Sequence, residues 1–159
     1  MREPQTAQLL HVEDDDICLM MLNRAFKKAK IANPISVAHD GIEALESLRG
    51  TNGRLRLPRP FIILLDLNMP RMDGIELLKE LRNDEDLKKS IVFILTTSDA
   101  DEDKVKAYNL GVAGYILKSN PANAFLEATT LLDTYWRVIE FPISVGEPGL
   151  GQGVGGDLK

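Results

Sequence analysis

Short apolar runs alternate with longer amphipathic stretches along most of the chain. Five runs are predicted to be strands, at residues 9–12, 35–38, 61–65, 91–95 and 114–117. The runs at 61–65 and 91–95 are apolar throughout, which is typical of parallel strands that are covered on both faces. Each run is followed by a stretch with helical spacing of apolar residues.

The first amphipathic stretch is predicted to begin at a cap formed by Asp15 or Asp16. Its buried face is predicted to carry Ile17, Met21, Ala25 and Ala29. The fourth helix is predicted to be capped by Ser98 or Asp99, and the fifth to run from the Asn120-Pro121 pair to about residue 141. Five strands alternating with five helices predict an α/β fold, a parallel sheet with helices on both faces.

Acidic residues cluster directly after two of the predicted strands. Glu13, Asp14 and Asp15 follow the first strand, and Asp66 ends the third. In an open α/β sheet, ligands bind beyond the carboxyl ends of the strands, where the strand order reverses. If the order is 2-1-3-4-5, the first and third strands are neighbours and these acidic ends meet.

Crowded carboxylates repel one another, and a divalent cation relieves that repulsion. Mg²⁺ prefers oxygen ligands and is typically held by one or two carboxylates together with phosphate oxygens. An aspartate can act as the nucleophile that becomes an aspartyl phosphate. Thr96 and Lys118 follow the fourth and fifth strands, where they offer a hydroxyl and an ammonium to a phosphoryl group.

Several short motifs resemble the receiver domain of two-component response regulators. They are VEDD at residues 12–15, LLDLNMP at 64–70, MDG at 72–74, LTTS at 95–98 and GYILK at 114–118. The resemblance covers roughly residues 7–141. It implies a flavodoxin-like, doubly wound (βα)5 sandwich whose strand order is 2-1-3-4-5. It also implies a signalling protein whose only chemistry is its own phosphorylation and dephosphorylation, rather than an enzyme.

The resemblance implies a role for each motif residue at the acidic edge. Asp66 would accept the phosphoryl group from a histidine kinase or a phosphotransfer protein. Mg²⁺ would be bound by the side chains of Asp14 and Asp66, by the backbone carbonyl of Asn68, and by Glu13 through water.

Four further residues would respond to the phosphoryl group. Thr96 would swing toward it, Tyr115 would turn inward as the switching aromatic, and Lys118 would contact its oxygens. Thr97 would border the acceptor and influence access to it. The family usually has proline directly after the lysine, whereas Ser119 follows Lys118 here. A cis bond before a residue other than proline costs about 3 kcal/mol or more, and the sequence leaves open whether the Lys118–Ser119 bond is cis or trans.

The motifs around residues 96–98, 108–110, 135–136 and 141–142 resemble a narrower group, the small stand-alone regulators paired with bacterial phytochrome-type kinases. No DNA-binding segment follows residue 142. The output is therefore expected to be protein contact through the fourth helix, fifth strand and fifth helix, with a homodimer as one form. Tyr135, Val138 and Ile139 are candidates for that surface.

Composition and sequence pattern also bear on the partners, the cellular location and the domain bounds. The net charge of −5 argues against nucleic acid or an anionic membrane as the main partner. Cys18 has no second cysteine to pair with, and the N-terminus is polar, so a cytoplasmic protein is expected. Residues 1–6 are expected to be an N-terminal extension, 7–142 the receiver domain and 143–159 a disordered, glycine-rich tail.

Three alternatives remain open at this point. A Mg²⁺-dependent phosphohydrolase would use Asp66 as nucleophile, but it would want a carboxylate at the position of Asn68. A flavodoxin-like cofactor binder would want a phosphate-binding loop where Glu13-Asp14-Asp15 stands. An interaction module with the same fold would never be phosphorylated.

Overall fold

The computed structural model describes residues 6–142, without the side chains of Pro121 and Ala122. The strands are β1 Gln8–Val12, β2 Ile35–Ala38, β3 Phe61–Leu65, β4 Ile91–Thr96 and β5 Gly114–Leu117. The helices are α1 Asp16–Lys28, α2 Gly41–Arg49, α3 Gly74–Asn83, α4 Asp101–Asn109 and α5 Pro121–Val138. The predicted extension 1–6, apart from Thr6, and the predicted tail 143–159 lie outside the described residues.

The five strands form one parallel sheet in the order β2-β1-β3-β4-β5. Strand β3 lies at its centre, and all of its residues are buried, as its uninterrupted apolar run predicts. Alternating strand residues face two cores. Leu10 and Ile63 pack with α2 and α3 residues on one face, while Leu9 and Ile62 pack with α1 and α5 residues on the other. The predicted flavodoxin-like α/β fold is confirmed.

Three helices begin with aspartates at the carboxyl edge of the sheet. Asp15 caps α1 and accepts from the amides of Ile17 and Cys18, as one of the two predicted alternatives required. Asp40 caps α2, and Asp73 caps α3 in a capping box with Glu76. These caps fix where each loop gives way to a helix, and therefore fix the loops around the acidic edge.

The predicted cap of α4 is wrong. The helix begins after Ala100, and neither Ser98 nor Asp99 caps it. Ser98 Oγ instead donates to Asp103 Oδ2 at 2.5 Å, and Asp99 accepts from Lys104 Nζ at 2.6 Å. The side chains of Ser98 and Asp99 thus contact side chains near the start of α4 rather than its backbone amides.

The predicted buried face of α1 is also wrong in part. Ile17 is 63% exposed and Ala29 is exposed beyond the last turn, while the buried stripe runs through Leu22, Ala25 and Phe26. The stripe lies about one position further along the helix than the spacing of Ile17 suggests. Helix α5 ends at Val138, before the predicted end near residue 141.

Within residues 6–142, no helix combines the length and the apolar character that crossing a bilayer requires.

Candidate functional site

The two acidic strand ends are joined by backbone hydrogen bonds. Val12 on β1 pairs with Leu65 on β3, so Glu13 and Asp66 each follow a paired residue. The amide of Asp66 donates to the carbonyl of Val12 at 3.0 Å. The amide of Glu13 donates to Ala38 at the end of β2 at 2.9 Å. These bonds extend the sheet by one residue and hold both acids at the same edge.

Three carboxylates converge at this edge. One oxygen from each of Glu13, Asp14 and Asp66 lies within 4.8 Å of the others. Glu13 and Asp66 are buried, whereas Asp14 is exposed and leaves the cluster open to solvent on its side. A set of carboxylate oxygens with one open side fits a hard divalent cation that keeps some of its waters.

Lys118 places a positive charge against the same cluster. Its Nζ lies 2.5 Å from Glu13 Oε1 and 3.9 Å from Asp66 Oδ2. Burial works to lower the pKa of Lys118, but the hydrogen bond to Glu13 and the charge of Asp66 outweigh it and raise that pKa. The lysine is therefore a buried ammonium held among carboxylates, with Nζ 3.9 Å from Asp66 Oδ2.

Glu13 is the most buried member of the cluster. Burial raises its pKa to about 7, the charge of Asp66 adds to that effect, and the hydrogen bond from Lys118 opposes it. A carboxyl group in this setting gains from any additional positive charge. The surroundings of Glu13 therefore favour a cation at the cluster.

The backbone behind Asp66 is tightly packed. A Cβ on Gly74 would lie 2.6 Å from the carbonyl oxygen of Asp66 and 2.7 Å from Leu67 Cα, so only glycine fits. The Gly74 amide donates to Leu67 at 3.0 Å, and the amide of Asn68 lies 3.5 Å from Asp66 Oδ1. The motif glycine thus lets α3 begin directly behind Asp66.

The predicted switch residues lie along a neighbouring path. Thr96 is fully buried as the last residue of β4, and its Oγ1 accepts from the Ser98 amide at 3.3 Å. The hydroxyl of Tyr115 donates to the Ser98 carbonyl at 2.8 Å. Thr97, which lies between Thr96 and Ser98 in the sequence, is exposed. Ser98 therefore connects the two predicted switch residues, a link that the sequence analysis missed.

Two further contacts were not foreseen. Sequence order placed Lys118 against the acceptor, yet its direct partner is Glu13, and Cys18 Sγ also lies 3.6 Å from Nζ. Asp40, in the turn between β2 and α2, is buried and accepts from Arg71. Ion pairs between distant loops leave no local spacing signal, so the sequence pattern could not show them.

The isomer of the Lys118–Ser119 bond, left open by the sequence, is defined in the structure. Of the peptide bonds in the part of the chain that the structure describes, Arg59–Pro60 is cis, whereas Lys118–Ser119 is trans. The amide of Lys118 donates to the Thr96 carbonyl at 2.8 Å and continues the β4–β5 pairing. The trans bond therefore still delivers the lysine to the acidic edge.

Two relatives cover most of the chain by sequence. Response regulator Rcp1 of Synechocystis is 32% identical over 128 residues, which cover 80% of this chain and 87% of the relative. The probable methanogenesis regulatory protein FilR2 of Methanothrix harundinacea is 35% identical over 129 residues, which cover 80% of this chain and 82% of the relative. Similarity to both therefore extends over nearly their whole length.

Solved structures of phytochrome response regulators are similar to the whole described fold. The phosphorylated cyanobacterial regulator RcpA has a TM-score of 0.77 and 30% identity, covering 86% of this chain and 98% of RcpA. The Mn²⁺-bound form of Rcp1 has a TM-score of 0.77 and 31% identity, covering 87% of this chain and 100% of Rcp1. The model of the response regulator receiver domain matches residues 9–130. With this family match, its strand order and the acidic cluster at the carboxyl edge of the sheet, the chain belongs to the family of response regulator receiver domains.

Proposed function

We propose that Asp66 accepts a phosphoryl group in a Mg²⁺-dependent reaction, with a histidine kinase or a phosphotransfer protein as donor. The convergence of Glu13, Asp14 and Asp66 within 4.8 Å is the observation that carries this proposal. As a member of the receiver family, the chain is a signalling protein rather than an enzyme. The Mn²⁺-bound form of Rcp1 supports a divalent cation at such a site.

The transfer moves one phosphoryl group between two nucleophiles. A bond forms between an Asp66 carboxylate oxygen and phosphorus, and the bond between phosphorus and the imidazole nitrogen of the donor histidine breaks. The side chains of Asp14 and Asp66 and the carbonyl of Asn68 would hold Mg²⁺, with Glu13 acting through water. The cation supplies charge neutralisation for the transferring group.

Lys118 balances the charge that arrives with the phosphoryl group. Phosphorylation replaces the single negative charge of the Asp66 carboxylate with a phosphoryl group that carries about −1.5 to −2, a net gain of about −0.5 to −1, and it adds new acceptor oxygens. Nζ lies 3.9 Å from Asp66 Oδ2, so a small side-chain movement away from Glu13 brings it to those oxygens. The lysine thus makes different contacts before and after phosphorylation, which a two-state switch requires.

Thr96, Ser98 and Tyr115 would carry the change toward the surface. When the Thr96 hydroxyl turns to the phosphoryl group, it gives up its contact with the Ser98 amide. The Ser98 carbonyl holds Tyr115, so movement of this loop would release the ring. Thr97, exposed beside the acceptor, would influence access to it.

The output would be contact with another protein through α4, β5 and α5, with a homodimer as one form. Exposed apolar side chains on these helices support that surface: Val105, Tyr108 and Val138 are all more than half exposed. Tyr135, one of the candidates from sequence, packs edge-on against Phe93 at 4.9 Å and mainly covers the core. Similarity to the phytochrome response regulators supports a phytochrome-type kinase upstream.

Intact-mass measurement after incubation with acetyl phosphate and Mg²⁺ tests the proposal. A gain of one phosphoryl group is expected, and it should disappear in Asp66→Asn or when a chelator removes the cation. Asp86→Asn is the control, because it removes an exposed carboxylate outside the acidic cluster, in the segment between α3 and β4. A chain that never gains the group under these conditions would refute the proposal. Solution mass before and after phosphorylation tests the homodimer.

A further inference from the structure

The loop that follows the acceptor, residues 67–73, is fastened to the turn between β2 and α2. Arg71 Nε donates to Asp40 Oδ2 at 2.7 Å, and the Gly41 amide donates to the Met72 carbonyl at 2.9 Å. A Cβ on Gly41 would lie 2.6 Å from Met72 Cγ, so the two segments approach as closely as glycine permits. The loop is therefore held by its neighbour as well as by its own ends.

Asp40 is a well-fixed anchor for this contact. Its side chain is only 6% exposed. One oxygen caps α2 by accepting from the Glu43 amide at 2.9 Å, which leaves the other oxygen for Arg71. Because both oxygens are engaged, the carboxylate has one orientation, and the charge-assisted bond to Arg71 is directional.

The backbone of Arg71 lies in an unusual conformation. Its φ is +61°, in the left-handed region that residues with a Cβ adopt reluctantly and glycine adopts freely. Arginine at this position brings a contact that glycine could not make, and the bond to Asp40 offsets the cost of the conformation. The side chain of Arg71 therefore contributes a contact between two segments in addition to its place in the turn.

The same turn is bonded to the acidic cluster. The Ala38 carbonyl at the end of β2 accepts from the Glu13 amide, and the Val12 carbonyl accepts from the Asp66 amide. Contacts thus run from Asp66 through β1 to the end of β2, and from Asp40 back to the loop that carries Asn68. A shift of that loop changes the position of Asn68 relative to two carboxylates that are otherwise fixed.

We propose that Arg71 is a positioning residue for the cation site. Its ion pair with Asp40 holds the 67–73 loop so that the backbone carbonyl of Asn68 is available as a ligand. The inference rests on the proposed function, because Asn68 is a ligand only if the receiver binds Mg²⁺ at the cluster. Groups that orient ligands from outside the coordination sphere commonly determine how tightly a metal is held.

Calorimetric titration of the full chain with Mg²⁺, without a phosphodonor, measures this role. Arg71→Gly removes the side chain but suits the backbone, so its Mg²⁺ affinity should fall about 10-fold, and titration well below its melting temperature keeps that loss separate from unfolding. Arg71→Lys keeps a positive charge and should recover part of the affinity. Asp40→Asn keeps an oxygen for the α2 cap and should weaken binding like Arg71→Gly.

Asn52→Gly is the matched control. Asn52 also has a positive φ, of +54°, and its side chain donates to Glu46 at 2.9 Å in a loop outside the acidic edge. This variant should leave the Mg²⁺ affinity unchanged. With acetyl phosphate, Arg71→Gly should require more Mg²⁺ for half-maximal phosphorylation yet reach the wild-type rate at saturation.

The outcomes separate this inference from the proposed function. Wild-type Mg²⁺ affinity in Arg71→Gly, beside a wild-type chain that is phosphorylated normally, overturns the positioning role alone. Independent, additive effects of Arg71→Gly and Asp40→Asn in the double variant overturn it as well, because partners in one contact must be coupled. A wild-type chain that neither binds Mg²⁺ nor is phosphorylated overturns both.

Discussion

Lys118 reaches across the carboxyl edge of the sheet to Glu13, with 2.5 Å between Nζ and Oε1. The two residues follow strands that are not neighbours, since β3 and β4 lie between β1 and β5. Their side chains are 5% and 1% exposed, respectively. Removing one partner of a buried ion pair leaves the other charge uncompensated, and here two further carboxylates share the cluster.

Lys118→Met should therefore lose about 3 to 5 kcal/mol of unfolding free energy in chelator-containing buffer. Mg²⁺ should restore part of that loss, because the cation replaces the missing positive charge among Glu13, Asp14 and Asp66. Urea unfolding with chelator and with excess Mg²⁺ measures both effects.

Lys104→Met provides the comparison for a surface pair. Lys104 Nζ lies 2.6 Å from Asp99, but the two side chains are 34% and 72% exposed, so the loss of stability should be much smaller than in Lys118→Met. Adding Glu13→Gln to Lys118→Met should recover stability, since it removes the stranded charge. Equal stability of Lys118→Met and the wild type in chelator would contradict the buried-pair account.

Buried His11 makes stability depend on pH. Burial, and then the charge of Lys118, lowers the pKa of His11 to about 3. The unfolded chain binds a proton near the ordinary pKa while the folded chain does not, so stability is retained at neutral pH and falls as pH drops below that value. From neutral pH to pH 5, the wild type should lose about 2 kcal/mol more than His11→Gln.

Unfolding free energies of both chains across that range, in chelator, give the difference in slope. Parallel slopes for His11→Gln and the wild type would show that another group carries the acid sensitivity.

The parts of the fold that the sequence predicted depend on burial patterns, which are local. The uninterrupted apolar run of β3 and the acids that follow β1 and β3 correctly placed the sheet and its acidic edge. The predicted buried face of α1 was partly wrong because Ile17 matches a helical period yet lies outside the packed stripe. Helix α4 buries only Ala107 among its described residues, so no apolar pattern could fix its start.

Contacts between loops were harder to predict than elements. The neighbours of Lys118 depend on the distance across two intervening strands, and the bond from Arg71 to Asp40 joins loops whose relative position only the folded sheet determines. Both contacts involve charged residues in segments that resemble ordinary solvated turns. Side-chain reach in three dimensions, rather than sequence spacing, decides their partners.

Gly74→Ala should impair both folding and phosphorylation. The new Cβ would meet backbone atoms of Asp66 and Leu67, which cannot rotate away as a side chain can. Overpacking of this kind costs about 1 to 3 kcal/mol, and relief by backbone movement displaces the acceptor. Thermal unfolding and the initial rate of phosphorylation by acetyl phosphate check the two effects.

Gly114→Ala separates general overpacking from a local effect at the acceptor. A Cβ on Gly114, at the start of β5, would lie 3.0 Å from Phe93 Cδ1, a side-chain atom of β4. This variant should lose some stability but keep the wild-type phosphorylation rate under conditions where it is folded. If folded Gly74→Ala is phosphorylated as fast as the wild type, the tight approach behind Asp66 does not matter for the reaction.

Tyr115→Phe tests the bond between the aromatic switch residue and the loop after β4. The hydroxyl donates to the Ser98 carbonyl at 2.8 Å, and its loss should cost about 1 kcal/mol of unfolding free energy in the unphosphorylated chain. If phosphorylation releases Tyr115 from Ser98, the phosphorylated forms of wild type and variant should differ much less. Tyr108→Phe, on an exposed tyrosine of α4, should leave the stability of the unphosphorylated chain unchanged. A stability difference that stays the same after phosphorylation would show that the Tyr115–Ser98 bond persists in both states, and the switch would have to run through another contact.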